Sequence, residues 1–318
     1  MKKILLLAVL IGINLMGFTL KGFSQEIDRF NPDTIKTIQL DSAVNISAQK
    51  FGVETFINAI ITDESFYKAF KNMKKYNFTA ENNIYSYDKK NKVDGRIYRK
   101  IKHTAEGPEK MVYIAKQDTG KLYRKNGKYQ LYTIEMFDFI FLNAYKTEFS
   151  EEDAKGKADG ANAGYKDKLK TLIFAPGKPI KGLPFIGDKT AIFTANMRQY
   201  YDYSYYSGTY LDSIPVYRFK VTMKKDLSNW TKDGLMIKEL TTIFDKRNFE
   251  ILGRYVDMKY SNMLFDFNVQ MNIETSYFGD EKLPTKISYQ GNWDYPLKKE
   301  ERASFLIVHK DYHLGKGK

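Results

Sequence analysis

The stretch Leu235–Tyr260, LMIKELTTIFDKRNFEILGRYVDMKY, decides the fold. On either side of Asp245-Lys246-Arg247-Asn248 the runs 235–244 and 249–260 read as strands. The residues between the two runs are turn formers, and they are too few for a crossover. The two strands must therefore be antiparallel neighbours.

The same pattern continues outward. Downstream, period-two runs at 264–278, 284–292 and 300–310 are separated by Ser261-Asn262 and Gly279-Asp280-Glu281. Upstream, 190–206 and 215–224 flank Asp212-Ser213-Ile214-Pro215. Nearer the start, 76–87, 93–103, 109–116, 120–125 and 128–133 read as strands, with Asn126-Gly127 as a tight hairpin turn between the last two. Two stretches change period. Val53, Phe56, Ile57, Ile60, Tyr67, Phe70 and Met73 recur at helical spacing over 53–75, and Thr62-Asp63 inside that pattern is able to cap a second helix. Ile134, Phe137, Ile140, Phe141, Ala144 and Tyr145 do the same over 134–147. Neither stripe can bury itself alone. The expected class is α+β, a single curved antiparallel β-sheet, half-barrel-like, wrapped around a few helices.

Met1-Lys2-Lys3, an apolar run from Ile4 to Phe18, and small residues at Gly22 and Ser24 read as a secretory signal peptide over 1–24, cut between Ser24 and Gln25. Residues 25–50 form a flexible lead-in, and 51–318 a single β-rich domain with a mobile, charged and glycine-bearing loop at 148–166. A periplasmic or extracellular location follows. The chain has no cysteine, which excludes disulfides, disulfide-linked partners and thiolate chemistry. Its formal charge of +13 favours anionic envelope surfaces over nucleic acid in an exported protein. With 24 Tyr and 22 Phe, the aromatic content suits pleated surfaces.

The order of helix, meander, mid-chain helices and longer meander resembles the periplasmic lipoprotein-carrier fold, a half-open barrel closed by a helical lid. The segment Thr242-Ile243-Phe244-Asp245-Lys246-Arg247-Asn248-Phe249-Glu250-Ile251 carries the likeness, as do Leu283-Pro284-Thr285-Lys286-Ile287 and Gly291-Asn292-Trp293. The style is also similar to exported Bacteroidota proteins of unknown function. The resemblance implies a hollow able to hold a lipid or other amphiphile.

On that reading Phe137, Ile140, Phe141, Leu172, Phe174 and Phe185 would line the apolar site, with Leu183 beside them in a Pro/Gly-broken segment. Lys92, Arg96, Lys100 and Lys102, on one face of a strand, would hold an anionic head. His103 on the same strand is expected to be solvated. The alternative is a glycan-binding module using Tyr201, Tyr203 and Tyr205, which share a strand face within a tyrosine cluster at 200–217; a purely structural envelope protein is the third reading. Asp-Ser/Thr tripeptides at Thr34, Ser42 and Ser213 are similar to the O-glycosylation acceptor of Bacteroidota-like proteins. No metal site is expected, because His309 and His313 would stand about 13 Å apart on a strand. Serine-hydrolase elbows, phosphate-cradling glycine loops and paired carboxylates are absent, so neither enzyme activity nor a cofactor is expected.

Overall fold

The computed structural model describes residues 52–106, 111–142, 173–179, 187–261, 266–294 and 300–315. The stretches expected to be signal peptide (1–24), lead-in (25–50) and mobile loop (148–166) lie outside them, as do Thr34, Ser42, Leu172, Leu183 and Phe185. Ten strands are described: β1 (Tyr76–Tyr87), β2 (Val93–His103), β3 (Met111–Gly120), β4 (Tyr201–Tyr210), β5 (Ile214–Met223), β6 (Ile237–Asp245), β7 (Ile251–Ser261), β8 (Asp266–Phe278), β9 (Glu281–Asp294) and β10 (Glu301–Leu314). They form one antiparallel sheet in the order β3-β2-β1-β10-β9-β8-β7-β6-β5-β4. Two meanders are thus sewn together by the β1–β10 pair, in which Ala80 faces His309 and Ile84 faces Phe305. The sheet is open and curved, a half-barrel.

That strand order has a topological consequence. β3 and β4 are consecutive in the chain but lie at opposite edges. The described residues between them, 121–142, 173–179 and 187–200, pack over the inner face.

The first helical stripe breaks in two, α1 (Val53–Thr62) and α2 (Ser65–Asn72), followed by a 3-10 turn at Met73–Lys75. Asp63 makes the break. Its carboxylate accepts the backbone N–H of Ser65 at 3.1 Å and of Phe66 at 3.2 Å, satisfying the orphan donors of α2. Phe56 of α1 is fully buried between Tyr205, Phe219, Phe244 and Phe249, with ring centroids 4.8 to 5.5 Å away. Burying a ring of that size contributes on the order of 2–3 kcal/mol, which ties α1 to β4, β5 and β6.

Three expectations need correction. The runs 120–125 and 128–133 pair only through the bridge Tyr123–Tyr129, although the turn between them forms as expected, with Gly127 at φ +77°. The chain leaves the sheet there, burying Leu122 and Leu131 as it goes. Strand β4 starts at Tyr201 instead of 190, because the chain first makes a 3-10 turn at Gly187–Thr190 and a helical turn at Ala195–Arg198. The mid-chain helix is short: α3 (Tyr132–Phe137) passes into a π turn at Asp138–Leu142, and 143–147 lie outside the described residues.

Candidate functional site

The hollow of the half-barrel is floored by inner-facing residues of β1, β2 and β7–β10 and covered by α3, its π turn and the segment 173–179. The cover is aromatic. The Phe137 ring lies 3.8 Å from Phe305 of β10 and 4.4 Å from Tyr289 of β9, centroid to centroid. Phe141 meets Phe70 of α2 at 6.1 Å, and Phe174 meets the same ring edge-on at 5.0 Å. Phe137, Ile140, Phe141 and Phe174 are all buried. Four of the apolar residues expected at the site are thus brought together, and they fill the hollow.

Polar groups hold the cover down. The Glu301 carboxylate of β10 accepts the N–H of Tyr132 and of Thr133, each at 2.8 Å, capping α3 from the sheet. Arg99 of β2 pairs with Asp138 of the π turn at 3.1 Å and donates to the Tyr129 hydroxyl at 2.7 Å. Burial opposes the charge on Arg99, but Tyr129, Tyr113 and Asp138 outweigh it and raise its pKa. Arg254 of β7 donates to the Phe174 carbonyl oxygen at 3.0 Å, with its guanidinium 4.6 Å over the Phe66 ring. Burial lowers its pKa to about 10, and Asp63 only partly offsets that.

Beneath Phe141 the hollow keeps a small space of about 10 Å³, roughly one water's worth. Its lining includes Phe78, Asn82, His103 and His309. Asn82 is 1 % exposed, and neither its amide oxygen nor its amide nitrogen has a hydrogen-bond partner. His309 Nδ1 likewise has none. Burial and the neighbouring His103 depress the His309 pKa to about 3, so the ring is neutral at ordinary pH. His103 is a correction. It is not solvated but 1 % exposed, stacked on Phe78 at 4.3 Å and donating through Nδ1 to the Tyr76 carbonyl oxygen at 2.8 Å. Strand parity places it with Ile97 and Ile101, on the inner face.

The same parity removes the basic strip from the hollow. Arg96, Lys100 and Lys102 project from the outer face of β2, and Lys92 is exposed just before it. Arg96 donates to Asn83 and lies over the rings of Tyr85 and Tyr98, while Lys100 pairs across the strands with Glu81 at 3.6 Å. A head group inside the hollow is on the wrong side of the sheet to meet them.

Tyr201, Tyr203 and Tyr205 do share a face, but it is the inner one. Tyr201 is buried and donates to the Ile237 carbonyl oxygen at 3.0 Å, Tyr203 donates to that of Ile192 at 2.8 Å, and Tyr205 packs on Phe56. Helix α1 and the 187–193 segment cover the row, so it presents no exposed platform for sugar rings. Ser213 sits exposed in the β4–β5 turn beside Leu211 and Asp212, both at positive φ. Among the described residues no group of three or more His, Asp or Glu side chains is arranged to hold a metal ion.

Asn82, Arg99, Arg254 and Glu301 were not singled out from the sequence, and His309 entered only as a rejected metal ligand. Most carried a signal nonetheless: each polar residue falls in phase with the apolar face of its strand, Arg99 between Ile97 and Ile101, Asn82 between Ala80 and Ile84.

No family model and no curated protein matches the chain. Three solved structures do. A DUF1329-family protein from Desulfovibrio piger covers 84% of this chain and 94% of its own, at 10% identity and a TM-score of 0.27. A LolA-superfamily protein from Nitrosomonas europaea covers 80% and 96%, at 10% identity and TM-score 0.18. A putative outer membrane lipoprotein-sorting protein domain from Vibrio parahaemolyticus covers 79% and 93%, at 7% identity and TM-score 0.23. At such TM-scores they carry no argument about this chain.

Proposed function

We propose that this chain is an exported, non-enzymatic envelope protein that takes an amphiphile into its hollow by displacing the aromatic cover. One observation carries the reading. The rings filling the hollow, Phe137, Phe141 and Phe174, belong to the segment strung between the two sheet edges and to no strand. A side chain that fills a half-barrel from a connecting segment can be exchanged for an acyl chain of similar chemistry without breaking a single strand pair.

The test is direct. Protein purified without detergent is extracted with organic solvent for mass spectrometry, and the delipidated protein is titrated with a fluorescent acyl probe. Recovered lipid or saturable probe binding is expected. If neither is found, the hollow is a filled core. That second reading, a structural envelope protein, is favoured by the small size of the space beneath Phe141, about 10 Å³. Export is checked separately: N-terminal sequencing of the secreted form should begin at or near Gln25.

A further inference from the structure

The Asn82–His309 pocket holds more hydrogen-bonding capacity than the closed structure uses. An apolar core gains from every polar side chain it leaves out, and a buried amide with both ends unpaired is costly to keep. Asn82 lies on the inner face of β1, opposite Ile307 on one side and Arg99 on the other, and its amide lines the space beneath Phe141. One turn of the pleat away, Ala80 faces His309, whose Nδ1 is also unpaired. These groups offer an acceptor and donors together, and none is charged: the neutral form of His309 is the buried one. Arg99, opposite Asn82 on β2, already has Asp138 and Tyr129 as partners.

We propose that this pocket receives the uncharged, hydroxyl-bearing head of the amphiphile, with Asn82 and His309 as its hydrogen-bonding partners. This deepens the reading given above and rests on it. Space for about one water exists while Phe141 is in place, so the head enters only as the cover is displaced. A hydroxyl both donates and accepts, which suits an amide beside a neutral imidazole. A carboxylate only accepts. It would leave the Asn82 oxygen unmet and would lose its own hydration in an apolar pocket.

The experiment compares two amphiphiles with one acyl chain, monooleoylglycerol and oleate, as competitors for the fluorescent acyl probe on the delipidated full chain. Monooleoylglycerol should compete at least about tenfold better. In Asn82→Leu that advantage should vanish while the thermal melt is retained. The comparison in the unsubstituted protein needs no variant to fold. Oleate competing equally or better, or an Asn82→Leu protein that keeps the preference, overturns the head-group assignment while leaving amphiphile binding standing. Failure of the probe and of both competitors to bind overturns the amphiphile reading itself, and this inference with it.

Discussion

Arg254 reaches from the floor of the hollow to the chain that covers it, donating to the Phe174 carbonyl oxygen at 3.0 Å. The guanidinium is wholly buried, and burial lowers its pKa to about 10. A cation so placed is expensive to desolvate, with Asp63 as its partial counter-charge. Arg254→Met should therefore leave global stability within about 1 kcal/mol of the original, or raise it. Amide exchange across 173–179 should quicken at the same time. Exchange mass spectrometry with a urea melt checks both, and unchanged protection of that segment would show that the contact does not hold the cover.

Phe70 and Phe141 touch, yet they answer to different structures. Phe70 belongs to α2, packed on the sheet, and Phe70→Ala should cost about 3–5 kcal/mol. Phe141 belongs to the cover. Its truncation can cost no more than the free energy with which the cover docks, expected at about 1–2 kcal/mol. Because Phe141 stands where a ligand would lie, Phe141→Ala should also tighten acyl-probe binding by removing part of the cost of displacement. Equal losses of stability for the two variants, with no gain in binding, would mean a filled core.

His309 gives the fold a pH dependence with a definite sign. Its pKa is about 3 in the folded protein against an ordinary value near 6.5, so below pH 6.5 the unfolded chain binds a proton that the folded chain refuses. Stability is lost as pH falls from about 6.5 toward 3, by about 2 kcal/mol at pH 5 from this group alone. His309→Phe should flatten the difference between pH 7 and pH 5 by that amount. Denaturant melts of both proteins at the two pH values measure it.

Asp63 does two jobs that can be separated. It caps α2 through the Ser65 and Phe66 amides, and its charge faces Lys282 and Arg254, both of whose pKa values burial lowers. Asp63→Asn keeps the capping geometry and removes the charge, whereas Asp63→Ala removes both. The cap alone is worth about 1 kcal/mol. If the charge contributes as well, Asp63→Asn should itself destabilise, and a melt indistinguishable from the original would exclude that part.

The tyrosine row should behave as core. Tyr201→Ala, Tyr203→Ala and Tyr205→Ala are each expected to destabilise, by about 2–4 kcal/mol where the ring is most buried. None should alter polysaccharide retention on an affinity gel. Specific loss of retention in a variant with an unchanged melt would return the glycan reading to favour.

Much of this architecture was written locally. The strands β5–β10 and the turn Asp245–Asn248 follow from strand-forming composition and turn chemistry, and the break between α1 and α2 follows from one capping aspartate. Local patterns could not show that residues 190–200 leave the strand period for turns packed on Tyr203, because Ile192 and Phe193 suit a strand as well as a buried turn. Nor could they tell an aromatic row facing the core from one facing solvent, since alternation fixes which side chains share a face and not which face is covered.

The sequence by itself determined an antiparallel meander with two apolar helical stripes, because periodicity and turn residues act over a few neighbouring positions. The tertiary structure alone decided that β1 pairs with β10, so that β3 and β4 become opposite edges and the described residues between them lie over the hollow. That pairing also set which way the basic strip and the tyrosines point relative to the helices, and it gathered Asn82, His103 and His309 around one small space. These are contacts between residues more than two hundred positions apart in the chain for β1 and β10. They arise from the burial of shared apolar surface, which is non-directional and leaves no mark in the local pattern of either strand.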